Sequence, residues 1–295
     1  MAAREKRSLA ASTKGILCIL GSGAIFSFTD AVSKVMMDDY PVGEVIFFRS
    51  LFVLVFTVGA IRYQGGWKGV RIVDWRRQIA RGVNIALTGI CFMFALKQVP
   101  LADMTAMVFL GPLILTALAP YFLGERVGWR RWTAVGIGFG GVLFIVDPSG
   151  GGPLWPLLLA GCVPLLTSTR DILTRKLGAT DSANATVLIS TACSVISGAL
   201  LLSLGWATPD LYGMGLFALT GLLQGVAHLL TVYAFVYGEA GVVTPFRYFM
   251  LLWATLYGYW FFAHIPRLET FVGAAIVSAS GLYIFYRETR AKRRA

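Results

Sequence analysis

Apolar runs of about 20 residues recur ten times along this chain, with only short polar segments between them. A run of that length crosses the hydrocarbon core of a bilayer as an α-helix, because only a helix satisfies the backbone hydrogen bonds of a single span internally. A β-barrel would need short alternating segments, and these runs are continuously apolar. The predicted spans are Gly15–Met37, Glu44–Ile61, Ile79–Leu96, Thr105–Leu123, Trp129–Val146, Leu154–Leu177, Ala185–Leu204, Met214–Val236, Val242–Ala263 and Thr270–Tyr286.

The composition excludes the soluble and disordered classes of protein. Charged residues make up 14% of the chain and apolar residues 57%, whereas a soluble domain carries about 25% charged residues. Ten spans use roughly 200 of the 295 residues, which leaves no room for a separate soluble domain. The sequence therefore predicts an all-α integral membrane protein with ten transmembrane helices.

The basic residues predict the orientation of the spans. The net charge is +11, and a basic soluble protein would suggest nucleic acid as a partner. Here the Lys and Arg residues concentrate in both terminal tails and in alternate loops, while the loops on the opposite side hold only Lys97 and Arg267. Basic loops stay in the cytoplasm, so we expect cytoplasmic termini, membrane lipid as the surroundings and no nucleic-acid partner.

A weak internal repeat divides the chain at the Gly/Pro-rich segment Pro148–Pro156. Ser27, Asp30, Ser33 and Lys34 recur in type and order as Ser168, Asp171, Thr174 and Arg175. With five spans per half, the second half enters the membrane upside down, and inverted repeats of this kind are typical of secondary transporters with a central site. The expected repeats are residues 1–147 and 154–295, arranged around a central cavity. The alternative is chance similarity between apolar helices.

One stretch of the first half carries a recognisable family pattern. The segment Ala95–Met107, with Asp103 inside it, is followed by Gly111-Pro112, by Leu123-Gly124-Glu125-Arg126 and by a glycine-rich fifth span. Together with Phe48-Arg49 in the second span, this pattern resembles the EamA module of the drug/metabolite transporter superfamily. The second half is more divergent, since His264-Ile-Pro266 replaces the Gly-Glu-Arg end of its fourth span.

The resemblance implies a ten-helix carrier in the bacterial inner membrane with both termini inside. Proteins similar to this one move amino acids, nucleosides, vitamins or other small metabolites, and many are exporters. We interpret the chain as an amino-acid or metabolite exporter that works without ATP and without a cofactor. No diagnostic motif names the substrate, and the oligomeric state is not predicted.

The two matched charged pairs are the first candidates for a substrate cavity. Asp30 and Lys34 are four residues apart on one helix face, as are Asp171 and Arg175. Charge inside a span is costly, so each carboxylate and its basic neighbour are expected to pair or to snorkel to the nearer surface. These pairs, with Ser27 and Ser168 one turn before them, either line the cavity or are structural pairs near helix ends.

Uncharged polar residues supply a second group of candidates, on the third and eighth spans. Asn84 and Thr88 share one helix face, and Gln224, His228 and Thr231 share another. The spans are counterparts under the repeat, which favours a cavity lining. The alternative is hydrogen bonding between helices, which is common in membranes.

The ninth span offers an arginine beside two aromatic residues. Arg247 can cap a carboxylate, while Tyr248 and Trp253 can stack on an apolar group. Alternatively, Arg247 snorkels to the cytoplasmic face, because Pro245 marks the start of the helix.

Proline positions predict where helices bend. Gly111, Pro112 and Pro120 lie in the fourth span, and Pro245 starts its counterpart, the ninth. Proline removes a backbone hydrogen bond, so these sites are hinge candidates or static kinks.

Two further patterns have simple structural interpretations. Gly136-Ile-Gly138-Phe-Gly140-Gly141 matches a dinucleotide-binding pattern, but it lies inside a span and is interpreted as close helix packing, as is Gly221-x-x-x-Gly225. The four cysteines show no metal-ligand spacing, and no metal site is predicted.

The function predicted from these features is a secondary carrier that works by alternating access. No Walker A segment is present to supply ATP-driven transport. An intramembrane enzyme would need a cluster such as His-Glu-x-x-His, and the only histidines, His228 and His264, are far apart. A channel or a structural membrane protein is the alternative from a different class.

Overall fold

The computed structural model describes residues 2–63, 66–122, 124, 127–145, 154–177 and 181–292. Glu125, Arg126 and most of the linker that begins at Pro148 lie outside these residues. Throughout the described part the regular structure is helical, with no strand, as predicted for an all-α membrane protein. Its helices are α1 Ala2–Asp39, α2 Val42–Tyr63, α3 Trp75–Gln98, α4 Leu101–Val108, α5 Gly111–Phe122, α6 Trp129–Ile145, α7 Trp155–Leu177, α8 Ala183–Leu201, α9 Leu211–Tyr237, α10 Ala240–Val243, α11 Met250–Phe262 and α12 Leu268–Lys292.

Polar residues at the loop–helix junctions explain where several helices begin. Asp74, Ser182 and Asp210 each precede a helix and accept a hydrogen bond from a backbone N–H in its first turn. These bonds satisfy amide groups that have no partner within the helix. They start α3, α8 and α9 two to four residues before the predicted spans, so Arg81 lies more than one turn inside α3.

The helices of the described residues form ten crossings, one for each predicted span. α4 and α5 together make the fourth crossing, and α10, a 3₁₀ helix at Thr244–Phe249 and α11 make the ninth. Eight of the ten are long and apolar enough to cross a membrane by themselves. The two that are not are α6, with 17 residues, and the interrupted ninth crossing, whose α11 has 13.

Two crossings are broken where the sequence places proline. The fourth is interrupted between Val108 and Gly111, directly before Pro112. Proline has no N–H to continue the hydrogen-bond ladder, so a break before it is expected. The ninth crossing, predicted as a continuous helix, instead has Pro245 inside its 3₁₀ segment. Pro120, by contrast, lies within the continuous helix α5.

Small residues determine which helices approach closely. A Cβ at Gly141 of α6 would lie 3.0 Å from the carbonyl oxygen of Gly273 in α12, and Gly138 packs against Leu113. Gly221 and Gly225 pack against Phe52 and Phe56 of α2 in the same way. The interpretation of both glycine patterns as helix-packing positions is therefore confirmed for these four residues, whereas Gly136 and Gly140 have no neighbour within 4 Å.

The helices pair in a regular order. α1 packs mainly against α9, α2 against α8, α3 against α7, and α6 against α12, while α4 contacts α11. Every one of these pairs joins the first half of the chain to the second. The two halves therefore do not form separate bodies side by side.

The apolar core is concentrated at one end of the bundle. Met36 and Met37 end α1, Val45 begins α2, Leu96 ends α3 and Met104 begins α4, and all five are buried. This end is opposite to the basic loops. The Arg49–Asp30 network described next lies nearer this acidic end, whereas Arg81, Arg170 and Arg247 lie nearer the basic end.

Candidate functional site

Arg49 is the centre of a buried polar network. Its Nη2 atom lies 3.0 Å from Asp30 Oδ1, its Nη1 atom donates to Ser33 Oγ, and its Nε atom donates to Gln224 Oε1 at 2.6 Å. Arg49 and Asp30 are each 6% exposed. The network joins α1, α2 and α9 and neutralises both charges, as a buried ion pair requires.

This network corrects the predicted pairing of Asp30 with Lys34. Lys34 instead donates to the carbonyl oxygens of Leu96, at 2.7 Å, and Val99, at 2.6 Å. These carbonyls are at the end of α3, where helical hydrogen bonds run out and a cation is favoured. The reason is geometric: Arg49, on the neighbouring helix, reaches Asp30 directly, whereas Lys34 lies closer to the end of α3.

Asp171 is also paired differently from the prediction. Arg170, its chain neighbour, donates to Asp171 Oδ1 through Nη2 at 2.8 Å and through Nε at 3.0 Å. The partner is thus Arg170 rather than Arg175, and the pair is half-buried.

Two further arginines lie within electrostatic range of the Arg170–Asp171 pair. Arg81, from α3, donates to the hydroxyls of Ser190, at 2.5 Å, and Thr174, at 2.7 Å. Arg247, from the 3₁₀ segment, is exposed and forms no hydrogen bond or ion pair with any residue that the structure describes. Its proximity to α7 favours an interior position for Arg247 over snorkelling.

His228 lies one helical turn after Gln224, the α9 residue that Arg49 binds. It is within electrostatic range of Arg49 and of Arg170. Its Nδ1 atom is 2.8 Å from the carbonyl oxygen of Gln224, and its ring meets Phe26 edge-on at 5.0 Å between centroids. The ring remains exposed within the bundle, so the sequence-predicted face of α9 contributes one open group, His228, and one group held in the Arg49 network, Gln224.

The predicted polar face of α3, formed by Asn84 and Thr88, lies beside the turn of α7 that carries Arg170. Asn84 donates to Thr169 Oγ1 at 2.7 Å, and its own Oδ1 atom is buried with no hydrogen-bond partner among the described residues. Thr88 donates back to the carbonyl of Asn84 in its own helix, at 2.7 Å. Asn84 thus keeps one buried acceptor without a partner among the described residues, whereas the Thr88 hydroxyl is used within α3.

Ser27 and Ser168 do not line an open cavity. Each is 1% exposed and is bonded to a broken helix of the other half. Ser27 Oγ donates to the carbonyl of Met250, where the 3₁₀ segment meets α11, at 3.3 Å. Ser168 Oγ donates to the carbonyl of Gly111, where α5 begins, at 2.8 Å. Both serines are corrected from cavity-lining to helix-anchoring residues, as buried hydroxyls need a partner.

Tyr248 and Trp253, the aromatic candidates of the ninth crossing, contact other aromatic rings. Tyr248 contacts Phe109, in the break of the fourth crossing, with ring centroids 4.8 Å apart. Trp253 stacks with Tyr257 at 6.5 Å, and its Nε1 atom is buried without a partner among the described residues.

Arg49, Arg81 and Arg170 are the site residues that sequence reasoning missed. Arg49 was identified only as part of a family pattern, and the other two were counted as loop charges. Arg81 follows the predicted span start, Ile79, by two residues, and the Asp74 cap places it well inside α3. A search for cap residues ahead of each apolar run would have revealed it.

The described residues contain no group of three or more His, Cys, Asp or Glu side chains that could hold a metal ion. What the cavity offers chemically is guanidinium groups, an imidazole and neutral hydrogen-bonding groups. Such groups bind and orient a polar solute.

Comparisons with known proteins agree with this description. The EamA-like transporter family matches residues 13–147. The riboflavin transporter of Rhizobium johnstonii is 30% identical over 95% of this chain and 93% of its own. An S-adenosylmethionine uptake transporter of Rickettsia bellii is 24% identical over 90% and 91%, and the pseudopaline exporter of Pseudomonas aeruginosa is 23% identical over 89% and 93%.

The fold is also found among solved structures. One crystal structure superposes with a TM-score of 0.64, covering 94% of this chain and 96% of its own at 16% identity. The matching family and the three sequence relatives are transporters, so the chain is a multi-pass membrane transporter and not an enzyme. The chain belongs to the EamA-like transporter family, within the drug/metabolite transporter superfamily.

Proposed function

We propose that this chain moves a small polar metabolite across the inner membrane by alternating access, without ATP, through the cavity between α3, α7, α9 and the ninth crossing. The observation that carries the proposal is buried apolar packing at the acidic end combined with exposed polar groups, His228 and Arg247, nearer the basic end. A channel would need a path open at both ends.

The packing order supports two inverted repeats, residues 1–147 and 154–295. Exchanging the halves converts the first crossing into the sixth and the third into the eighth. The pair α1–α9 then becomes α7–α3, and both pairs are among the main contacts. The pairs α2–α8, α4–α11 and α6–α12 convert into themselves.

The two serine bonds support the same symmetry. Ser27 and Ser168 occupy matching positions of the repeat, and each is bonded to the broken crossing of the opposite half. One bond therefore connects the first crossing to the ninth, and the other connects the sixth to the fourth. Exchange of two such arrangements is the basis of alternating access in inverted repeats.

The relatives guide the choice of substrate. Their names give riboflavin, S-adenosylmethionine and pseudopaline as cargo, and they include both uptake and export. Riboflavin comes first on a test panel, because its transporter is 30% identical to this chain. Amino-acid export, the finer expectation from the sequence, remains a prediction to be tested on the same panel in both directions.

Purified protein in liposomes is expected to show saturable flux of at least one panel compound. A second compound that shares the site should inhibit it, because a carrier exposes its site to one side at a time. Flux is measured with labelled riboflavin, S-adenosylmethionine and amino acids, with empty liposomes as the control. Conductance that does not saturate would instead support the channel alternative.

We further propose that the break before Pro112 is a hinge. Replacing Gly111 and Pro112 together by alanine returns an N–H that can bond to the carbonyl of Val108 and join α4 to α5. Turnover is expected to fall about tenfold, which corresponds to about 1.4 kcal/mol in the barrier, with KM changing much less. The matched control is Pro120→Ala, inside continuous α5. A large rise in KM with unchanged turnover would place this segment in the binding site instead.

The orientation proposed from the basic loops is that both termini lie in the cytoplasm. The loops near α2–α3 and α7–α8 are then cytoplasmic, and the acidic end with its buried apolar packing is external. The described conformation would accordingly be open to the inside.

A further inference from the structure

Three arginines lie in one region of the bundle, around a single ion pair. Arg170 is paired with Asp171, and both Arg81 and Arg247 lie within electrostatic range of that pair. Asp171 is the carboxylate whose charge acts on both Arg81 and Arg247. The cluster therefore carries two positive charges more than it can neutralise.

This excess is specific to the Arg81–Arg170–Arg247 cluster. Arg49, which is buried, has its own aspartate at 3.0 Å. Arg81 is bonded to hydroxyls and a carbonyl, which hold its position but do not cancel its charge. Unneutralised charge within a membrane bundle is costly, and it characteristically marks a substrate pathway.

Neutral groups at the same place extend the site. Asn84 is one turn after Arg81 in α3 and is bonded to Thr169, the residue before Arg170. Its Oδ1 atom, buried and without a partner among the described residues, is available to a donor on a ligand. Charge and hydrogen-bonding groups thus come from three crossings and meet around one space.

We propose that the Arg81–Arg170–Arg247 cluster binds an acidic group, a carboxylate or a phosphate, on the transported solute. Planar guanidinium groups bind both through paired N–H donors. This inference rests on the proposed transport function and narrows its substrate class: solutes with an acidic group are preferred over neutral or cationic ones of the same size. Asp171 holds Arg170 in place and limits the excess charge while the site is empty.

The test measures thermal unfolding of the full chain in detergent, titrated with citrate at an ionic strength held constant with sodium chloride. Citrate is expected to raise the Tm of the wild type and of the control Arg62→Gln, which removes an exposed arginine at the end of α2. Arg247→Gln and Arg81→Gln should each need roughly tenfold more citrate for the same rise in Tm. That factor corresponds to the loss of one charge-assisted interaction. Asp171→Asn should need less citrate than the wild type for the same rise in Tm, because it removes the carboxylate that limits the excess charge.

Two features keep the outcome interpretable. Arg247→Gln removes an uncompensated charge, so without citrate its Tm should equal or exceed that of the wild type. If either Arg247→Gln or Arg81→Gln does not fold, the citrate response of the other variant still tests the inference. Riboflavin and riboflavin 5′-phosphate form a second probe pair that differs only by a phosphate. The phosphorylated compound should compete more strongly with citrate in the wild type and lose that advantage in Arg247→Gln.

An equal citrate response in all variants, or none in the wild type, would overturn the inference. Saturable transport of a neutral solute with no response to citrate would overturn it while leaving the transport function intact. A citrate response without any flux would have the opposite meaning: it would support an acidic-group site and contradict the transport function.

Discussion

Arg49→Gln is expected to destabilise the protein by about 3–5 kcal/mol, the cost of leaving a buried charge without its partner. Asp30 would lose the guanidinium at 3.0 Å, and Ser33 and Gln224 would lose their donor. The folded yield in membranes and the Tm in detergent should both fall clearly. Arg62→Gln, the same change at an exposed position, should leave both nearly unchanged.

A double variant identifies the cause. Adding Asp30→Asn to Arg49→Gln removes the second charge, so part of the lost stability should return. Asp30→Asn by itself should also lower the folded yield. The sequence alone places Asp30 in the cavity and predicts that Asp30→Asn lowers transport. The Arg49 network predicts instead that Asp30→Asn lowers the stability of the fold. Normal folding of both single variants, with transport lost, would restore the first interpretation.

Gly141→Val is expected to cost about 1–3 kcal/mol through overpacking between α6 and α12. A Cβ at this position would lie 2.9 Å from Ile276 Cγ2 and 3.0 Å from the carbonyl oxygen of Gly273. The second of these is backbone, so the two helices would have to separate. The measurement is the Tm in detergent, compared with the wild type.

Gly136→Val provides the matched control for this prediction. It makes the same substitution in the same helix, at a glycine with no neighbour within 4 Å. Its Tm should therefore stay close to that of the wild type. Equal losses from the two variants would mean that helix propensity, rather than the α6–α12 contact, determines the effect.

Local patterns predict most of the helices because each crossing is specified by its own composition. A run such as Ala185–Leu204 is largely apolar and carries no charged residue, and in lipid it has no alternative to a helix. The exact ends depend on residues outside the runs, such as Ser182 and Asp210, which act as caps. The break at Gly111-Pro112 was also predictable, since the missing N–H of proline is a local property.

The charged pairs show where local reasoning stops. Helical spacing makes Lys34 a suitable partner for Asp30, yet Asp30 is bonded to Arg49 of α2. Which charges meet depends on which helices are neighbours. In this chain that choice follows from close contacts such as Gly221 against α2, which no single run encodes.

The sequence by itself determined the class of molecule: ten helical crossings, their basic and acidic ends, and the positions of the proline breaks. All of these follow from local hydrophobicity, charge and backbone chemistry. Only the tertiary structure decided that Ser27 and Ser168 are anchors for broken helices, and that Arg81 is held beside the Arg170–Asp171 pair by Thr174 and Ser190. Those relations join residues far apart in the chain, and the physical reason is that a charge or hydroxyl inside a bundle takes its partner from whichever helix packs beside it.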